Sequence, residues 1–349
     1  MSQKYFHAGR WSGYVWAVCL GTLGAAAYGA DPKPLQSGID IANISTTLSP
    51  GSDFYEYVNA GWLKNTQIPA DRSNYGAFTA LDDETLVAVR GIIETAANAT
   101  DAAAGSDRQK VGDYFRSYTD LARRNQLGTQ PISGLLQQVA QVDDRRQLLP
   151  LAAKLARQGV GGVLAMYIEP DARRSEQYAI YVSQSGLSLP DRDYYLKEDT
   201  RYRDVQQALR GYIADMLQAI GISDASDKAQ AIFNLEKELA TIQWTKVANR
   251  DPVATYNKIS HDELNTQLPR FNWIEFVRAA GFDREQSVIV RQVSFLKGVD
   301  ALLESVPLQT WKDYLAYQVI DSYAPLLSES IEKRHFDFHE TVISGVAEQ

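Results

Sequence analysis

Between residues 202 and 220 apolar side chains recur every three or four positions, as Val205, Leu209, Tyr212, Ile213, Met216, Leu217 and Ile220, and the run stops at Gly221. That spacing lays one continuous stripe along an α-helix and puts a glycine where a left-handed cap is needed. Such a helix gains most of its stability by packing its apolar face, so it demands helical partners. A second stripe runs from about Asp227 to Val247 through Ile232, Leu235, Leu239 and Ile242. A third comprises Leu86, Val89, Ile92 and Ile93, with Asp82 or Asp83 expected as its N-cap. The predicted class is mainly α.

Two pieces break the helical pattern. Val163–Ile168 and Tyr178–Gln184 are strand-like and are separated by the polar stretch Glu169–Gln177, which predicts a small β-hairpin near 163–184. Arg334–Phe338 alternates and is read as a further strand. The chain shows no internal repeat, low-complexity tract or Gly/Ser linker, so the body is read as one continuous unit.

The first thirty residues differ from the rest. Lys4 and Arg10 precede a small and apolar stretch from Trp11 to Tyr28, and the first acidic residue is Asp31. Residues 1–30 therefore read as an export signal cleaved after Ala27 or Ala30, with an uncleaved membrane anchor as the other reading. Its glycines and small residues favour removal. Either way the body is expected outside the cytoplasm, in a bacterial periplasm or cell envelope. The single cysteine, Cys19, lies within that segment, behind Val18 where a lipoprotein signal would want a small residue, so no disulfide supports the mature chain. Residues 31–52 mix Pro, Gly, Ser and Thr and read as an extended lead-in. With 349 residues, 45% of them hydrophobic, the chain can build a sizeable core. Its net charge of −8 and lack of a basic cluster exclude a nucleic-acid role.

Catalytic patterns are sparse. Beyond His7 the histidines are His261, His335 and His339. His335 and His339 have the spacing of the zinc motif His-Glu-x-x-His, but Phe336 occupies the place of its general-base Glu. On a strand His335, Asp337 and His339 would share a face that could grip a metal; the plainer reading is an exposed polar edge over buried Phe336 and Phe338. Asp82-Asp83-Glu84 reads as a solvated cap. Ser183–Gly186 does not meet the nucleophile pattern Gly-x-Ser-x-Gly. Asn43-Ile-Ser45 and Asn98-Ala-Thr100 fit a glycosylation sequon that is common by chance. No catalytic or metal-binding residue is assigned from these patterns.

Several ordered segments carry more information. They are Asp53-Phe-Tyr-Glu-Tyr-Val-Asn-Ala-Gly-Trp62, Ile68-Pro69, Asn74-Tyr-Gly-Ala-Phe-Thr-Ala-Leu81 and Asp113-Tyr-Phe-Arg-Ser-Tyr-Thr-Asp120 with Gly128. After them come Gln184-Ser-Gly-Leu-Ser-Leu-Pro-Asp-Arg-Asp-Tyr-Tyr195, Arg250-Asp-Pro, Tyr256-Asn-Lys258, Phe336-Asp-Phe338, Ser344-Gly345 and Glu348-Gln349. Together, from about residue 37 onward, they resemble the N-terminal region of the neprilysin-like (endothelin-converting-enzyme-like) zinc metallopeptidases.

The resemblance implies the helical lobe of a two-lobed gluzincin-type peptidase that encloses peptide substrates against a thermolysin-like catalytic lobe. It implies residues 53–80 packed on that catalytic lobe, 81–330 as the substrate-enclosing lobe, and 331–349 as a strand leading into the catalytic lobe. It further implies aromatic residues of 113–120 turned inward, with Gly128 closing that helix. In the family, zinc is held by the His-Glu-x-x-His pair and a later Glu, all beyond the Ser-Gly segment at which this sequence stops, so the chain alone is expected to lack them, to bind no zinc and to be inactive. One functional position carries over. Family members that remove C-terminal dipeptides place an Arg before the Tyr-Gly pair to bind the substrate carboxylate; here Asn74 stands there, which implies an endopeptidase preference, the alternative being a plain surface residue. The competing reading of the whole is a stand-alone periplasmic peptide-binding module.

Overall fold

A computed structural model describes residues 38–346. The expected signal at 1–30, the start of the lead-in and Glu348-Gln349 lie outside these residues. The chain divides into two compact units, Met1–Gln67 and Ile68–Gln349.

In the first unit, a short 3-10 turn at Ile41–Asn43 is capped by the Asp40 carboxylate, and helix α1 spans Phe54–Asn65. Asp53 caps α1 by accepting from the Glu56 amide at 2.9 Å. The turn lies against Gly61, where a Cβ would meet the Ala42 carbonyl oxygen at 2.5 Å, so only glycine lets the two backbones meet. The lead-in is therefore partly turned rather than extended, and α1 buries none of its residues.

The second unit contains helices α2 (Ala77–Ala97), α3 (Asp107–Thr119), α4 (Leu121–Leu127), α5 (Ser133–Ala140) and α6 (Leu148–Ala156). Strands β1 (Leu164–Asp171) and β2 (Arg174–Gln184) follow, then α7 (Asp193–Leu196), α8 (Thr200–Ala219) and α9 (Ala225–Ile242). Strand β3 (Asn257–Ser260), α10 (His261–Gln267), α11 (Trp273–Ala280) and β4 (Ser287–Val290) lead to α12 (Val293–Ser305), α13 (Leu308–Tyr323) and α14 (Glu329–Phe336). No helix among the described residues is long and apolar enough to cross a membrane.

The two strong helical stripes are α8 and α9, paired through buried Leu209, Ile213, Ile232 and Leu239 and covered by α13. The core extends through α6, α11 and α12, so the mainly α class holds. The hairpin also holds, with Tyr167 opposite Tyr181, but its strands run longer than their sequence pattern and leave only Ala172 and Arg173 between them. It belongs to a mixed sheet of order β1-β2-β4-β3, in which β2 and β4 are parallel and β3 and β4 antiparallel. At the hairpin tip buried Asp171 receives hydrogen bonds from Lys258 Nζ, Tyr256 OH and the Arg173 amide, each at 2.9 Å. The Lys258 bond foremost and that amide next hold its carboxyl well below the usual range.

The structure corrects four expectations. Arg334–Phe338 is helical: it ends α14, which continues as a π-helical segment, Asp337–Ser344. Phe338 is buried there as read, but on a helix turned toward α8. Helix α2 starts at Ala77 behind Gly76 rather than at Asp82 or Asp83. In α3, Tyr114 and Tyr118 face outward, and Gly128 closes α4 instead, because Asp120 both ends α3 and caps α4.

Candidate functional site

The run Gln184–Tyr195 is the most distinctive stretch of the sequence. Gly186 has φ +92°, and a Cβ there would stand 2.8 Å from Val163 Cα, so glycine alone fits. Its carbonyl accepts from Tyr314 OH at 3.1 Å. Ser188 Oγ and Tyr195 OH each donate at 2.6 Å to the two oxygens of Glu236, which is fully buried on α9, and Tyr317 OH donates to Ser188 Oγ at 3.1 Å. Burial pushes the Glu236 carboxyl up to about 7. Arg192 donates to the Ala240 carbonyl near the end of α9 at 2.9 Å. These bonds fasten the loop across α9 and α13; the run is a structural clasp with no reacting group at an open surface.

Asn74 borders a cleft. It is exposed on the strand-free segment ahead of α2, its amide within 3.5 Å of Ser73 Oγ, and it lines an open cleft of about 690 Å³. Asp71, Arg72, Phe78, Asp82 and Glu340 line the same cleft. Arg72 pairs with Asp83 and lies 3.8 Å from Asp71, so its guanidinium is already engaged. The carboxylates of Asp71, Asp82 and Glu340 leave the lining acidic.

A third place was only half legible. Asp321 on α13, His335 on α14 and His339 in the π-helical segment bring one ligand atom each within 4.8 Å of one another, the one such set of three His, Cys, Asp or Glu residues found among the described residues. His339 Nε2 is 3.0 Å from Asp321 Oδ1, which also accepts from Tyr212 OH at 2.6 Å. Tyr212 stacks on Phe338 with ring centroids 4.5 Å apart. Burial, then the neighbouring His339, keep the His335 imidazole below its ordinary value. The spacing of the two histidines is visible in the sequence, whereas Asp321 is contributed from another helix. Asp337, which a strand would have placed beside the two histidines, pairs with Lys333 at 2.7 Å.

The fold, a mainly α body with a small mixed sheet, is shared with solved metallopeptidase structures. Residues 50–349 match the N-terminal model of peptidase family M13, and the chain belongs to that family, the neprilysin-like peptidases. It superposes with a TM-score of 0.82 and 31% identity on the Mycobacterium tuberculosis zinc metalloprotease Zmp1 in complex with an inhibitor, covering 89% of this chain and 48% of that one. Mouse endothelin-converting enzyme-like 1 is 27% identical over 300 residues, 80% of this chain and 38% of that protein. Human endothelin-converting enzyme 1 is 23% identical over 350 residues, 93% of this chain and 44% of that protein. The chain thus spans less than half the length of these relatives.

Peptidases of this family are zinc metalloproteases. His335 and His339 do not complete the His-Glu-x-x-His pattern: Phe336 follows His335, and His339-Glu340 is followed by Ile343 where the second histidine would stand.

Proposed function

We propose that this chain is the substrate-enclosing helical region of a secreted zinc metalloendopeptidase that cleaves peptides, with zinc-binding and hydrolytic residues supplied by a catalytic lobe outside residues 38–346. The export-like start supports delivery to the periplasm or cell envelope. The observation that carries the reading is the apolar surface of α2. Phe78 is 91% exposed, Ile92 67% and Leu81 61%, on a helix that buries only Ala96. Apolar side chains gathered on one exposed helix favour a covering surface, which the catalytic lobe would provide. The helical wall would then admit flexible peptides and exclude folded proteins, which is a steric gate rather than a chemical one.

The test joins this chain in cis to a His-Glu-x-x-His-bearing catalytic region of an M13 relative and follows quenched fluorescent peptides. The joined protein is expected to cleave short peptides with zinc and to spare a stably folded protein, while this chain with zinc cleaves neither. Phe78→Asp with Ile92→Asp is expected to weaken the joined activity. Hydrolysis by the chain alone, or equal cleavage of peptide and folded protein, would overturn the proposal. The cleft at Asn74 favours a second reading, a stand-alone peptide-binding module; micromolar peptide binding by the unjoined chain, with no association with a catalytic region, would establish that reading in its place.

A further inference from the structure

The geometry points to a structural site for a divalent transition metal of the zinc class at Asp321, His335 and His339, separate from any hydrolytic zinc. Two imidazoles and one carboxylate suit zinc, nickel or cobalt, while calcium and magnesium prefer oxygen ligands. With metal–ligand distances of about 2.0–2.2 Å, tetrahedral donor atoms stand roughly 3.4 Å apart. His339 Nε2 and Asp321 Oδ1 are already 3.0 Å apart, and the whole set lies within 4.8 Å. Small side-chain rotations therefore close the site without moving a helix. His335 and His339 sit four residues apart, so the turn that joins α14 to the π-helical segment presents both rings, whose centroids are 4.3 Å apart.

The surroundings have the features of a built site. Metal-bound carboxylates and imidazoles are usually oriented by an outer partner. Here Tyr212 OH donates to Asp321 at 2.6 Å. The Tyr212 ring stacks on fully buried Phe338 and meets His339 edge-on at 5.3 Å, so one wall of the site is apolar and dry. Arg334 lies over the Tyr212 ring at 5.8 Å and is paired with Asp215 at 2.5 Å.

The ion's role would be mechanical. Its ligands come from α13, α14 and the π-helical segment, and Tyr212 ties them to α8. A bound ion would clip the last described turns to the core and fix the direction in which the chain leaves the helical body. The coordination also opposes fraying of Asp337–Ser344, whose wider winding is intrinsically weak.

The experiment uses the full chain stripped with chelator and titrated with Co²⁺ at pH 7.5. One equivalent is expected to bind with visible d–d bands, to be displaced by Zn²⁺, and to raise the melting midpoint. Asp321→Asn, His335→Gln and His339→Gln are each expected to weaken Co²⁺ binding at least 100-fold, and Tyr212→Phe, which keeps the ring stack, about 10- to 100-fold. Should a substituted chain fail to fold, cobalt-induced broadening of NMR signals in the unsubstituted chain decides the matter, and is expected to centre on Phe338 and His339. Absence of stoichiometric binding, binding indifferent to all the substitutions, or broadening centred elsewhere would overturn the inference.

Discussion

Glu236 shows how far a single residue can depart from its apparent role. It falls within an amphipathic stretch that reads as one more helix with a polar back, yet its carboxyl is fully buried and receives bonds from Ser188 and Tyr195. Desolvation outweighs those bonds and raises its value from 4.5 to about 7. Between those two values the folded chain holds a proton that the unfolded chain has released. Stability therefore falls as pH rises through that window, by an amount on the order of a few kcal/mol, and levels off above it. Glu236→Gln removes the titration, so urea midpoints at pH 5 and pH 7.5 are expected to converge in the variant relative to the parent. An unchanged pH dependence in the variant would show that another group dominates. The role proposed for Asn74 belongs to this scale too, because it rests on one side chain at one place in a motif. Asp321 was not legible in the sequence, since a lone Asp on an amphipathic helix carries no mark of the histidines it meets.

Elements were legible where a period was long and pure. The α8 and α9 stripes met the core as their spacing required, and the hairpin formed where two apolar runs flanked a polar one. Short patterns failed. Phe336 and Phe338 suggested a strand, but five residues cannot separate a period of two from a helical turn, and α14 extends through them because Phe338 packs on Tyr212. Helix α2 carries the same kind of apolar stripe, yet Leu86, Val89 and Ile92 are exposed among the described residues. The clasp at Gly186 allows a test of close packing against the sheet. Gly159 also has positive φ, +86°, with nothing within 4 Å of an added Cβ, whereas Gly186 would meet Val163. Both alanine variants bear the cost of a left-handed residue, about 1–2 kcal/mol. Gly186→Ala is expected to lose about 1–3 kcal/mol more through overpacking, read from paired denaturant melts. Equal losses would mean that the loop shifts freely and is no clasp.

For the whole molecule, the proposed function gives the acidic cleft and Asn74 a part in peptide choice. With Arg72 engaged by Asp83, no free cation among the named lining residues awaits a terminal carboxylate. The joined peptidase is expected to cleave free-acid and C-terminally amidated peptides at similar kcat/KM. Asn74→Arg is expected to raise the preference for the free acid about tenfold, the size of one charge-assisted contact of roughly 1.4 kcal/mol. A parent enzyme that already strongly prefers the free acid would show that another residue supplies the charge.

The sequence by itself determined the helical class, the hairpin, the family and the lack of a His-Glu-x-x-His motif, because each rests on local period or on an ordered string of residues. Only the tertiary structure decided that the Gln184–Tyr195 run is a clasp around a buried Glu236, that the end of α14 is helix rather than strand, and that Asp321 joins two histidines. Those outcomes depend on which surfaces are removed from water and which distant side chains meet. A local period can mark the face that a helix buries, but no local pattern names the distant side chains it will meet.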